Sequence, residues 1–306
     1  MNYIASISSS SCRIAIIGDV HGQWSLTDNQ LLQKLAVDLV LFVGDFGNED
    51  VSIAQIVSEL ELPKAVILGN HDAWFSATSW GQSQCPYDRS KEDWVQAQIE
   101  ILGDSYVGYG QRSFPQFNLA VVGGRPFSWG GDQWRNQKFY QSRFGINSFA
   151  ESTARIVAEA QSNNAEQLIF IGHNGPTGLG DQPEDICGKD WEPLGGDFGD
   201  PDLAAAIGQL QSQGKSVPLV AFGHMHHQLR HRTDRLRVPV RQIGNTLYLN
   251  AARCPRVVNY PPILHNFSIV TLQDGQVIEA SLVWVDRQGE IQRSEDYLRT
   301  INPVIQ

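Results

Sequence analysis

The chain is poor in sulfur, with two methionines and four scattered cysteines, Cys12, Cys85, Cys187 and Cys254. No two cysteines form a CxxC pair, so a thiolate zinc site is not expected. Such isolated thiols fit a reducing compartment better than a disulfide framework. No uninterrupted apolar run approaches the roughly 20 residues of a membrane-spanning helix, so no membrane association is expected. Basic residues are few, 23 against 33 acidic ones, for a net charge of −10. A broad nucleic-acid surface works by displacing counterions with Lys and Arg, and no nucleic-acid binding is expected here. A phosphorylated substrate is not excluded, because bound divalent cations reverse the local sign. The start, Met1-Asn2-Tyr3-Ile4-Ala5 and then serines, lacks the basic and apolar regions of a signal peptide. Residues 1–11 read as a short frayed leader, and the expected location is the cytoplasm.

What is present is ordinary globular material: 306 residues, 42% hydrophobic and 9% aromatic. That is enough to bury a core without staples and too apolar for a disordered chain. No internal repeat, linker or low-complexity tract divides it, so a single domain over 1–306 is expected. Short apolar runs predict strands at 12–17, 39–43, 65–68, 119–122, 168–171 and 218–222. Helices are predicted at 28–36, 51–60, 91–101 and 149–161. The C-terminal part alternates in strand fashion at 246–250, 267–272 and 277–285, with Asp274-Gly275 as a hairpin signal. Residues 73–112 read as a loop-and-helix excursion over one sheet edge. Residues 178–202, with eight acids and one lysine, read as a long solvated loop.

Chemistry-bearing residues gather just after these strands. Five of the eight histidines do so, each beside Gly, Asn or Asp: His21, His71, His173, His224 and His226. Asp19, Asp45 and Asn70 fall in the same places. In an open α/β sheet the carboxyl ends of the strands form the ligand-binding edge. Carboxylate, amide and imidazole donors together make a mixed N/O set suited to Mn, Fe or Zn and too rich in imidazole for a Ca or Mg cage. Each piece alone has a plain reading as a turn or a cap. Their order carries the signal: Asp19-Val20-His21, Gly44-Asp45, Gly69-Asn70-His71-Asp72, Gly172-His173 and Gly223-His224-Met225-His226.

That order, DxH, GD, GNHD, H and GHxH over about residues 12–255, resembles the calcineurin-like metallophosphoesterase superfamily. The resemblance implies an α-β-β-α sandwich, two β-sheets packed face to face with helices outside, and two divalent transition metals, Mn first and Fe or Zn as alternatives. Carried over motif by motif, Asp19, His21 and His226 would hold one metal. Asn70, His173 and His224 would hold the other, and Asp45 would bridge them. His71 would not ligate but would protonate the leaving oxygen, oriented by Asp72. The implied reaction is hydrolysis of phosphate esters by a water activated between the metals. The implied substrates are phosphomonoesters, small or on a phosphoprotein; a phosphodiester or nucleotide is the alternative within the superfamily. Scaffold relatives of this fold lack the acid histidine, which is present here.

The second motif departs from the GDxxDRG of the protein Ser/Thr phosphatases. It reads Gly44-Asp45-Phe46-Gly47-Asn48-Glu49-Asp50, without the phosphate-holding arginine. The branch resembled is a bacterial, cyanobacterial or plastid-related one. Arg125, after a strand and Gly123-Gly124, is the first candidate to replace that arginine, and Arg253 is the second. The stretch Arg230–Arg256 holds seven arginines, read as solvated faces in preference to a docking surface. Trp24, Trp74, Trp129 and Trp191 stand near the motifs, and packing is favoured for them over pocket wall.

Overall fold

The computed structural model describes residues 11–259 and 261–299. All but the last residue of the expected leader lies outside them. The chain opens with β1 (Ser11–Ile17), α1 (Leu26–Lys34), β2 (Leu39–Phe42), α2 (Val51–Ser58) and β3 (Lys64–Val66). The three strands pair in parallel in that order. Two short helices follow, α3 (Trp74–Ala77) and α4 (Ser79–Ser83), then α5 (Trp94–Leu102). Next come β4 (Gln111–Phe114), β5 (Leu119–Gly123), α6 (Gln137–Phe144), α7 (Phe149–Gln161) and β6 (Gln167–Ile171). After a long loop the chain continues with α8 (Pro201–Ser212), β7 (Ser216–Phe222), β8 (Val240–Ile243), β9 (Thr246–Asn250) and the short β10 (Val257–Val258). It ends in β11 (Leu264–Gln273), β12 (Gln276–Val285) and β13 (Ile291–Arg299).

Two sheets result. One runs β13-β12-β11-β1-β2-β3, with β10 paired to β11; the other runs β4-β5-β6-β7-β9-β8. Successive side chains of a strand point to opposite faces, so a strand covered on both sides must be apolar throughout. The β1 run obeys this. Ile14 and Ile16 face inward onto Val121, Ile169 and Leu219 of the second sheet. Ala15 and Ile17 face the helices, among Leu31, Leu32 and Leu35 of α1 and its exit. The α-β-β-α sandwich expected from the resemblance is the observed architecture. Asp50 caps α2 by accepting from the Ser52 and Ile53 amides, and Ser148 caps α7. At the expected hairpin, Asp274 and Gly275 both take positive φ and join β11 to β12.

Unforeseen elements are those with weak patterns. β13 is mostly exposed and polar, an edge strand without an apolar face. β4 and α6 are similarly polar. The start of α8 is masked in the sequence because the acidic loop runs straight into it: Asp200-Pro201-Asp202 is a helix start, with proline in the first turn. The acidic loop is also not simply solvated. Buried Arg237 donates to the carbonyls of Pro183, Asp185 and Gly188 and pairs with Asp190 at 3.3 Å. Arg256 is likewise buried, donating to the Gln23 and Asn266 carbonyls under Trp24 and Phe267. Two of the seven C-terminal arginines are therefore internal staples.

Candidate metal centre

Every expected ligand lies at one edge of the sandwich. Asp19 and His21 follow β1, Asp45 follows β2, Asn70 follows β3, His173 follows β6, and His224 and His226 follow β7. The strands end abruptly there. Asp19, His21, Asp45 and His224 all take positive φ, from 45° to 67°, a region costly for residues with a Cβ. Backbone strain of this kind persists only where the surroundings impose it. Neighbouring glycines give the loops room to interlock: a Cβ on Gly69 would collide with the Asp45 carboxylate, and one on Gly223 with that of Asp19.

The donors form two sets. Asp19, His21, His226 and Cys254 place one ligand atom each within 4.8 Å of one another, and so do Asp45, His173 and His224. Asn70 Oδ1 lies 2.9 Å from His173 Nε2 and joins the second set. Asp45 faces both sets with different oxygens. Its Oδ1 is 3.3 Å from His173 Nε2, and its Oδ2 is 3.9 Å from His21 Nε2. That is the posture of a bridging carboxylate.

The residues fit cations. His21 Nε2 and His226 Nε2 face each other at 3.1 Å, and His173 Nε2 and His224 Nδ1 at 3.2 Å. Buried Asp19 Oδ2 has no near partner but His226 Nε2, at 2.9 Å. Orphaned lone pairs converging on common points are what a metal satisfies. The charges agree. Burial would push the rings down, but Asp45 holds His173 up to about 9 and Asp19 holds His226 up to about 11. Burial alone would raise Asp45, yet His173, His71 and His21 keep it far below the usual carboxylate range. The site favours positive charge, for which protons and metals compete. Hydrogen bonds from behind the ligands fix their rings: His173 Nδ1 meets the Val43 carbonyl at 2.8 Å.

His71 stands beside this cluster, its ring edge-on to His21 with centroids 4.9 Å apart. Asp72 does not orient it, contrary to the expectation. Asp72 is fully buried and accepts from the Phe46 and Gly69 amides at 2.8 and 2.7 Å, stapling the second and third motif loops together. Burial and the charge of Asp45 push its carboxyl well up. Asn48 takes the orienting role, its Oδ1 lying 2.6 Å from His71 Nδ1. Trp74 stacks on the same ring at 4.5 Å and 12°. The signal for Asn48 lay in the departure at the second motif, three residues beyond Asp45.

A cavity of about 550 Å³ opens over the cluster. Its floor includes Asp45, Asn70, His71, His224 and His226, and Trp74, Trp129, Trp191 and Phe198 supply aromatic wall. Three of the four singled-out tryptophans thus line the pocket, while Trp24 is core.

Neither candidate arginine lies there. Arg125 is 3% exposed, bound to Asp202 at 2.9 Å and Asp200 at 2.7 Å beneath the rings of Trp134, Tyr140 and Phe149. Two carboxylates on the approaching α8 draw the side chain inward, which the Gly123-Gly124 argument did not foresee. Arg125→Ala would strand those carboxylates and should cost about 3–5 kcal/mol of stability, measured by denaturant unfolding. Arg253 turns to Glu295 of β13 at 3.8 Å and does not line the cavity. Three arginines line it: buried Arg237, tied to loop carbonyls and Asp190, and Arg135 and Arg230, both exposed. Arg135 and Arg230 lie over Phe198 and Trp191, at 5.9 and 5.3 Å. Among the described residues neither of these two guanidinium groups pairs with a carboxylate, although the Arg230 amide donates to Asp190 at 2.9 Å.

Residues 12–228 match the family model described as calcineurin-like phosphoesterase. No curated protein matches the sequence. Among solved structures, one aligns with a TM-score of 0.51 at 11% identity, covering 94% of this chain and 99% of that chain. The protein TT1561 of Thermus thermophilus aligns at 0.49 and 12% identity, with the same two coverages. A dimetal phosphatase from Danio rerio aligns at 0.49 and 11%, again with those coverages. Among the described residues no helix is long and apolar enough to cross a membrane. With the family model spanning all five motifs, the chain belongs to the calcineurin-like phosphoesterases, metal-dependent hydrolases of phosphate esters.

Proposed function

We propose that the protein is a binuclear metal-dependent phosphatase acting on phosphomonoesters. One observation carries this reading: Asp45 turns one oxygen toward His173 and the other toward His21, between two donor sets, and the His71 ring stands edge-on to His21 beside them. Asp19, His21 and His226 would hold one cation, Asn70, His173 and His224 the other, and Asp45 both. Bound there, two divalent cations polarise the phosphoryl oxygens and lower the pKa of a water. The remaining chemistry falls to side chains of the chain. His71 also lies within ligand reach of His21 and Asp45. Its Nδ1 is engaged by Asn48 and its face by Trp74, which leaves Nε2 to pass a proton to the leaving oxygen.

The monoester preference is supported by Arg135 and Arg230. A monoester brings about two negative charges, and two guanidinium groups without carboxylate partners among the described residues face the cavity. Arg230→Ala should raise KM for phenyl phosphate several-fold and leave KM for a singly charged bis-aryl diester nearly unchanged. Arg230→Lys should rescue part of the loss, since charge survives and the planar fork does not. Equal effects on both substrate classes would contradict the monoester reading. The broader test is a panel of phosphomonoesters, phosphodiesters, nucleotides and phosphopeptides on enzyme reloaded with Mn, Fe or Zn.

A further inference from the structure

Among the described residues, Cys254 is the one donor grouped at the metal centre that no motif contains. It lies on the loop after β9, and its thiol donates to the Asp19 carbonyl at 3.3 Å. Its Sγ shares a group with Asp19, His21 and His226 in which every ligand atom is within 4.8 Å of the others. The second observation is Asp19 Oδ2, buried in that group with the His226 imidazole at 2.9 Å as its one near partner. The loop is braced on both sides of the thiol. The Cys254 amide bonds the Ala252 carbonyl at 3.1 Å, and Asn266 donates to the carbonyls of Arg253 and Pro255. The adjoining Arg256 amide donates to Gln23 Oε1 at 2.8 Å. The thiol is therefore held against the ligands by the fold.

We propose that Cys254 supplies a thiolate to the cation held by Asp19, His21 and His226. The proposal rests on the two-metal reading above and adds to it a difference between the two sites. One is built from N and O donors alone; the other, counting the shared Asp45 oxygen, is an N₂O₂S set. A thiolate is a soft ligand that favours Zn or Fe over Mn, so the two sites prefer different metals. On binding, the metal–sulfur bond replaces the S–H bond, and the proton leaves to solvent. The absence of a CxxC partner hid this residue in the sequence, because its fellow ligands are histidines and an aspartate on other strands.

The test is X-ray absorption at the zinc edge on the metal-free chain reloaded with zinc alone. A sulfur scatterer at about 2.3 Å is expected in the wild type, beside nitrogen and oxygen scatterers at about 2.0–2.2 Å. Cys254→Ser should lose the sulfur scatterer. One of its two zinc affinities should weaken by at least the roughly 10–100-fold that losing even an outer partner costs. Because the wild-type spectrum decides, the result stands even if the variant folds poorly. Two zinc ions per chain with only nitrogen and oxygen scatterers would overturn the thiolate ligand and leave the phosphatase reading intact. A wild-type chain that binds no zinc would overturn both.

Discussion

Asp45→Asn is expected to reduce turnover to that of the metal-free chain and to strip metal from both sites. The side chain presents Oδ1 to the set of His173 and Oδ2 to the set of His21, so a single charge serves two cations. Asparagine keeps the shape and can still accept the His71 amide, which donates to Asp45 Oδ1 at 2.9 Å. The fold should therefore persist while the charge is lost. A change at Asp19 or His224 touches one set only and should cost one metal first. Metal analysis of the purified variant against wild type checks this. Full occupancy with normal turnover would remove Asp45 from the bridge.

His71→Ala should do the reverse, leaving metal content nearly intact while lowering turnover by roughly 10²–10⁴, the usual worth of a general acid. The loss should shrink for p-nitrophenyl phosphate, whose leaving group needs little protonation, and should be full for an alkyl ester. The ring is placed for this by Asn48 at Nδ1 and by Trp74 on its face. Equal losses on good and poor leaving groups would argue against the acid role. A parallel loss of metal would make His71 a ligand, a role its distance to His21 and Asp45 also allows.

The ligand-bearing strands and the edge they share could be read from residue order, because buried parallel strands are continuous apolar runs and each motif follows one; their assembly into two sheets came from the family resemblance. The ligand-bearing loops were legible for the same reason: Asp19, Asp45, Asn70 and His173 come directly after predicted strands. Long-range pairing was not legible. Nothing local to Arg125 announces Asp200 and Asp202, some 75 residues on, and nothing local to Asp72 says that its carboxylate will staple two loops. Arg135, Arg230 and Cys254 escaped for a related reason. Their neighbours in the chain are ordinary, and their meaning comes from the pocket and cluster that other strands complete. Polar edge elements such as β4 and β13 have no apolar period to betray them.

The central claim is most directly tested by counting metal and turnover together. The chain is stripped with a chelator, reloaded stepwise with Mn, Fe or Zn, and assayed on phenyl phosphate at each stage. Turnover should vanish on stripping and return only as occupancy approaches two ions per chain. Turnover that survives complete stripping, or that is full at one ion per chain, would contradict the two-metal centre.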